Sequence, residues 1–432
     1  MVKLLDNSRT SLFNYFYMFC ILMYAGQATV FTRHLGDITS VGNAFALFIT
    51  LIFIFKNKIK FNRYFFYSIS VFIFYAAATS LNNGLVNPTW ILSWLIKLTI
   101  AYCICHGLGK RMFVLVESVL CPLCAISLIC WIIHILNPEL IKSIVKTFEF
   151  SRPYAEEGNV VANMLFYTIT VGDPDDFMFF VRNAGFAWEP GAFASIICFG
   201  IFCNLLRTNF RFYRNFTLWL FLLTLLSAQS TTGGITLILM AGIWMVANRK
   251  YCWGIILIPA ALGLLSLPFI GGKFSEEIRT LDAMDYTNTY VDGGNFNRSY
   301  SLVLDFQEFL RHPILGLGGW TKGTWYVQQG YEFNTVSGIG ELLSQYGAII
   351  TLLFIYMLVK SCKYIKDVTG SSSAYVLIGA MLGMMYSYSL WQHPFFIAFW
   401  MFGVYAVDLN EIGKYRRNQS HMIEYQSPTS II

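Results

Sequence analysis

Apolar runs of about 15–25 residues recur from one end of this chain to the other. Each is long enough to cross a hydrocarbon core of about 30 Å as a helix. Twelve are legible: 12–31, 39–56, 64–82, 90–107, 112–136, 190–206, 215–229, 232–248, 251–270, 336–359, 374–390 and 394–409. Their ends are set to about 2–4 residues. The chain is 56% hydrophobic and only 12% charged, whereas a soluble domain carries about a quarter charged residues. The expected fold is an all-α polytopic integral membrane protein with about twelve transmembrane helices. It forms a single domain over 1–411, followed by a polar cytoplasmic tail at 412–432.

Orientation follows from lysine and arginine, which concentrate in cytoplasmic loops. Alternate loops hold 19 of the 30 basic residues, among them Lys56, Lys58, Lys60, Arg63, Arg249 and Lys250. The opposite loops hold 17 of the 24 acidic residues. Both termini are therefore expected in the cytoplasm. The net charge of +6 is a topology signal and gives no indication of nucleic-acid binding. The first run follows Lys3 and Arg9 as a signal peptide would. Its length and the poor cleavage site Ala25-Gly26-Gln27-Ala28 mark it as a retained helix. The ten cysteines lie in or beside helices or on the cytoplasmic side, which argues against extracytoplasmic disulfides. Cys121-Pro-Leu-Cys124 sits in an apolar helix without histidine partners and reads as packing.

Two long loops remain, at about 137–189 and 271–335, both on the outer face. Loops beyond about 12–15 residues are usually functional or disordered, and these are too aromatic for simple disorder. Within them, 138–148 and 299–311 have helical apolar spacing. No internal repeat is evident.

The functional candidates gather at the outer ends of helices. Arg182-Asn-Ala-Gly-Phe-Ala-Trp-Glu-Pro-Gly191 puts an arginine and a carboxylate at the mouth of an apolar helix, where charge normally faces protein, water or a ligand. Glu189 precedes Pro190, which suits the first turn of a helix. Helix cap, arginine partner and general base all fit Glu189. Arg298 opens the amphipathic segment of the second loop, and Arg311 closes it where the helix dipole favours a cation. Arginine forks suit phosphate oxygens, so Arg182 and Arg298 together would suit a pyrophosphate. Ser230 and Thr231 lie in a glycine-rich turn that suits an anion or a plain hairpin. Asn334 leads the second loop back to a helix carrying Glu341, and His393 stands at another outer helix end. Glu341 and His393 are further candidates for the base. Trp188 is a possible sugar-stacking ring. Lys97 and Glu117 lie in successive helices and are expected to be structural, with pairing between them a possibility. No acidic metal-binding motif is present, and neither metal nor cofactor is expected.

Four of these features in order carry a resemblance. They are the 182–191 stretch, the Ser230-Thr-Thr-Gly-Gly234 turn, Arg298 through His312-Pro-Ile-Leu-Gly-Leu-Gly318, and Asn334 through Gly347. The chain resembles the O-antigen polymerase and ligase superfamily of bacterial surface-polysaccharide enzymes over about 182–347. The Arg…Glu-Pro form looks more like a polymerase (Wzy type). A ligase-like histidine beside Asn334 is missing, since Phe333 precedes it. The R-x10-G spacing of some polymerases is also absent, because Phe193 and Phe309 stand at those positions. The resemblance implies an inner-membrane glycosyltransferase that acts on undecaprenyl-pyrophosphate-linked glycans at the periplasmic or exterior face. Arg182 and Arg298 would stabilise the leaving pyrophosphate, with Glu189 the first candidate for the base. Arg311, Asn334, Ser230, Thr231 and Trp188 would contact substrate. A flippase and a chain-length regulator of the same pathway are the implied protein partners. A ligase that transfers glycan to another acceptor, and a membrane transporter, are the alternatives.

The basic-loop count makes a direct prediction. A green fluorescent protein fused after Ile432 should fluoresce in cells, and alkaline phosphatase inserted within 271–335 should be active. The reverse pattern would refute the orientation.

Overall fold

Short polar side chains set the helix starts. In the computed structural model, Asn62 accepts from the Tyr64 and Phe65 amides, Asn87 from Trp90 ahead of Pro88, and Asn215 from Leu218. Ser230 and Ser337 accept from Gly233 and Gly340. Each cap satisfies an amide that the helix itself leaves without a partner. The structure describes residues 11–28, 41–147, 160–170, 180–208, 213–265, 267, 298–320, 323–324, 328 and 336–406.

The chain is an α-helical membrane protein. Five helices are long and apolar enough to span a bilayer: α3 (Arg63–Asn83), α4 (Pro88–Leu108), α5 (Arg111–Leu136), α7 (Pro190–Thr208) and α12 (Gly338–Thr369). Shorter apolar helices fall on the remaining runs. They are α1 (Leu12–Gly26), α2 (Val41–Asn57), α8 (Phe216–Ser227), α9 (Thr231–Ala247), α10 (Gly254–Leu265) and α13 (Val376–Ser387). The last run divides into α14 (Pro394–Trp400) and α15 (Phe402–Tyr405). The amphipathic segments of the two outer loops are α6 (Pro138–Thr147) and α11 (Arg298–Arg311). The first outer loop also holds an antiparallel hairpin, β1 (Val160–Asn163) with β2 (Thr168–Thr170), which has no counterpart in the apolar spacing. It folds back onto α5 and α6. Tyr167 and Ile169 pack with Cys130, Ile141 and Val145, and His134 Nδ1 lies 3.0 Å from the Tyr167 hydroxyl.

α7 is the centre of the bundle. Every side chain from Pro190 to Leu206 is buried, against α1, α5, α8, α9 and α13. α9 and α13 approach closely through small residues. A Cβ on Gly383 would lie 2.3 Å from Thr236 Oγ1, and the Thr232 hydroxyl donates to Ser387 at 2.7 Å. Such contacts are the usual glue between helices in lipid. On the periphery, Phe66, Tyr67, Val71 and Phe74 of α3 point outward, as a lipid-facing surface requires.

α11 is inverted relative to a helix on a soluble protein. Ser301, Leu304, Asp305 and Glu308 are buried, while Val303, Phe306 and Leu310 are exposed. Its polar side lies on the start of α12, where Ser344 donates to Asp305 at 3.3 Å. The chain then laces into a break in α12 at Gly347, whose φ of 67° and ψ of −175° leave the helix. Leu317 and Gly318 amides donate to the Ser344 and Gln345 carbonyls, and the Ala348 amide donates to Pro313. The Tyr75 hydroxyl donates to the Leu315 and Gln345 carbonyls. The break thus leaves these backbone groups paired, a condition for irregular backbone at membrane depth.

Glu117 does not pair with Lys97. Arg207 at the end of α7 takes the carboxylate with two bonds of 2.7 and 2.6 Å, and Asn204 donates a third at 2.7 Å. Asn215 exchanges amide bonds with Asn204 and caps α8. A lysine on α4 could not match this bidentate geometry from its own depth. Glu117 is buried and Arg207 partly exposed, and leaving a buried carboxylate without its charged donor costs roughly 1–3 kcal/mol or more. Arg207→Ala should therefore lower the melting temperature of the solubilised protein sharply. Arg207→Met with Glu117→Leu should recover much of the loss, and equal melting of Arg207→Ala and parent would contradict the account.

Candidate functional site

The 182–191 stretch is fixed to its neighbours before it enters α7. Asn183 is fully buried, donates to Ser227 Oγ at 2.9 Å and accepts from the Gly185 amide at 2.9 Å. Ala187 bridges Gln27, and the Trp188 amide donates to Gly26 at 2.9 Å. The Glu189 carbonyl accepts from the Phe193 amide at 3.1 Å, so Glu189 is the residue that caps α7. Its carboxylate is hydrogen-bonded to the hydroxyl of Tyr388.

Tyr388, in the turn after α13, is where the site converges. Its hydroxyl rests on the first turn of α7, so that a Cβ on Gly191 would lie 1.8 Å from it. The Trp188 ring meets Tyr388 edge to face at 6.1 Å. The Arg298 guanidinium lies over the Tyr388 ring, 5.7 Å from its centre, a favourable seat for a cation. Arg182 also acts electrostatically on the same hydroxyl. Glu189 and Arg298, more than a hundred residues apart, therefore meet at one tyrosine, with Arg182 within electrostatic reach of its hydroxyl. Arg298 stands at the N-terminus of α11, where the helix dipole disfavours a cation; the ring beneath it offsets that cost.

The other candidates separate. The Ser230 hydroxyl caps α9 at 3.3 Å from the Gly233 amide, and Thr231 is buried in the same turn. This turn touches the site through backbone, since Arg182 Nε donates to the Ala228 carbonyl at 3.4 Å. Arg311 is exposed at the far end of α11. Asn334 lies outside the described residues. His393 Nδ1 accepts from the Phe395 amide at 3.3 Å and so caps α14, against the Tyr24 ring at 4.2 Å. With Nδ1 accepting, the neutral ring keeps its proton on Nε2 and presents a donor rather than a base.

Beside the arginines lies a polar cavity of about 280 Å³. It is lined by Gln27, Lys97, Trp188, Glu341, Tyr388, Ser389, Gln392 and His393, with Leu390. Ser389 and Gln392 hydrogen-bond to Glu341, whose Oε2 is buried without a partner. Lys97 is the charge that faces Glu341. The Tyr346 hydroxyl holds Gln392 at 3.0 Å and accepts from Trp94 at 2.9 Å. Trp188 and Tyr388 are common to the arginine cluster and this cavity. Among the described residues, no group of three His, Cys, Asp or Glu side chains gathers as a metal site would require. Tyr388, Gln27 and Gln392 carry no signal in the sequence. Lys97 does, as the one basic residue inside an apolar run.

No protein-family model and no curated protein matches the chain.

Gly191→Ala tests the convergence. Alanine normally favours a helix over glycine by about 0.5–1 kcal/mol, but here the methyl must displace Tyr388, at about 1–3 kcal/mol for overpacking. The single variant should melt below the parent, and Tyr388→Phe added to it should regain part of the difference. A Gly191→Ala protein as stable as the parent would remove Tyr388 from this position.

Proposed function

We propose that the protein is a membrane glycosyltransferase that polymerises undecaprenyl-pyrophosphate-linked glycan repeat units. The observation that carries the reading is the seating of Arg298 on Tyr388, with Glu189 hydrogen-bonded to the hydroxyl of that residue and Arg182 within electrostatic reach of it. Two guanidiniums form a donor set for a pyrophosphate, and the Tyr388 ring seats one of them. Twelve spans, cytoplasmic termini and a bacterial inner-membrane location complete the reading and put this cluster on the periplasmic or exterior face. A flippase that delivers the repeat unit and a chain-length regulator are its natural partners.

In the reaction, a hydroxyl of the acceptor glycan attacks the anomeric carbon of the donor. The new carbon–oxygen bond forms as the bond to the pyrophosphate breaks, and the electron pair leaves with the lipid pyrophosphate. Negative charge grows on that leaving group, so fixed arginines favour the transition state over the ground state. Glu189 orients this donor set, since its carboxylate is committed to Tyr388.

Loss of the protein should leave lipid-linked single repeat units in the membrane. Purified Arg182→Ala and Arg298→Ala proteins should each lengthen chains about 10²–10³-fold more slowly, the range for loss of one such donor. Full activity in both folded variants would refute the mechanism. A ligase would form no ladder when a lipid-linked repeat is the sole glycan supplied. A transporter is the second reading, favoured by the break in α12 at Gly347 and by Lys97 facing Glu341 about 14 Å along α4. It requires movement of a solute across vesicles without any new glycosidic bond.

A further inference from the structure

The cavity beneath Trp188 and Tyr388 has the chemistry of a sugar subsite. Its volume of about 280 Å³ falls just below the roughly 300–1,000 Å³ of pockets that enclose drug-sized ligands, which suits one sugar ring. Its wall combines an aromatic ring, Trp188, with the amides of Gln27 and Gln392 and the hydroxyl of Ser389. These are neutral donors and acceptors suited to hydroxyl groups. Two charges complete it, Lys97 from α4 and Glu341 from α12.

Glu341 has the features of a waiting acceptor. Ser389 and Gln392 fix the carboxyl group, and Tyr346 fixes Gln392 in turn. One oxygen, Oε2, is buried and takes no hydrogen bond, although a buried carboxylate oxygen without a donor costs free energy. A ligand hydroxyl would supply that donor. Lys97 faces the same carboxyl group across the cavity. Lys97 also lies 5.7 Å from the Trp94 ring, which helps to hold the ammonium in place.

We infer that the Lys97–Glu341 cavity is the subsite for the acceptor sugar, with Glu341 the general base for its attacking hydroxyl and Lys97 a positioning residue. The inference rests on the glycosyltransferase reading and adds a second half to its site. The arginine cluster holds the pyrophosphate of the donor. The cavity holds the sugar that attacks, and Tyr388 and Trp188 form the wall between them. The acceptor O–H bond breaks with the proton passing to Glu341, while the oxygen bonds to the donor's anomeric carbon and the pyrophosphate leaves with the electron pair. Water at the mouth of the cavity then takes the proton from Glu341.

Glu341→Ala and Lys97→Met, purified in lipid nanodiscs, test this against Arg298→Ala. Undecaprenyl pyrophosphate alone is the binding probe, and lipid-linked repeat units are the substrate for lengthening. Both cavity variants should bind the probe within about twofold of wild type while lengthening chains at least about 100-fold more slowly. Arg298→Ala should lose probe binding about tenfold or more. Added formate should restore part of the activity of Glu341→Ala and none of that of Arg298→Ala, a rescue that a purely structural role would not permit. Lengthening at the wild-type rate by either cavity variant would overturn the inference and leave the arginine site standing. Loss of probe binding along with lengthening would overturn it too, by merging the cavity with the pyrophosphate site. Absence of formate rescue would remove Glu341 as the base. A wild-type protein that binds the probe and makes no ladder would instead defeat the polymerase reading.

Discussion

The contact of the Tyr388 hydroxyl with the first turn of α7 holds the outer face together. Position 191 has room for that hydroxyl because it carries no side chain; a single Cβ would overlap it. Around the same ring come Trp188, Glu189 and Arg298, and the Tyr388 carbonyl lies where a Cβ on Gly338 at the start of α12 would fall. Four segments of the chain are thereby brought to one residue: the 182–191 stretch, α11, α12 and the turn after α13. Each has buried polar groups that would be costly in lipid without partners. The tyrosine hydroxyl meets the Glu189 carboxylate and its ring seats the Arg298 guanidinium.

The second structural constraint is the break in α12. A helix interrupted at membrane depth exposes carbonyls and amides that hydrocarbon cannot satisfy. Here the segment after α11 enters the gap at Gly347, and Tyr75 reaches across from α3 to the remaining carbonyls. This lacing ties the second outer loop to the bundle. It also sets the direction of the short N-terminal piece of α12 that carries Glu341. The position of the cavity therefore depends on a turn that lies outside it.

Much of the helical architecture was legible because each apolar run reports directly on burial or lipid exposure along its own length. The amphipathic segments at 138–148 and 299–311 became α6 and α11 for the same reason. Other features depend on distant partners. The β1–β2 hairpin is held by Tyr167 against α5 and α6, which local alternation does not encode. Glu117 could be seen as a charge within a run, but its partner, Arg207, comes from the far end of the next apolar run, across the whole first outer loop. Glu189 was legible as a residue at the mouth of a helix; that its backbone carbonyl takes the Phe193 amide while its carboxylate turns to Tyr388 depends on packing. Ser230 was legible as a turn hydroxyl. Only packing shows that it caps α9 while the turn's backbone meets Arg182.

By itself the sequence determined that this chain lives in a membrane as a helical bundle, because hydropathy and charge bias are sums over local residues. It also marked Arg182, Glu189, Arg298 and Glu341 as charges in places where lipid penalises them. Which of these charges meet was decided by the tertiary structure alone. Convergence on Tyr388, the facing of Lys97 and Glu341, and the cavity shared with Trp188 depend on helices that cross far apart in the chain. No local period records those crossings, since they are fixed by the small residues and broken helices that let backbones approach.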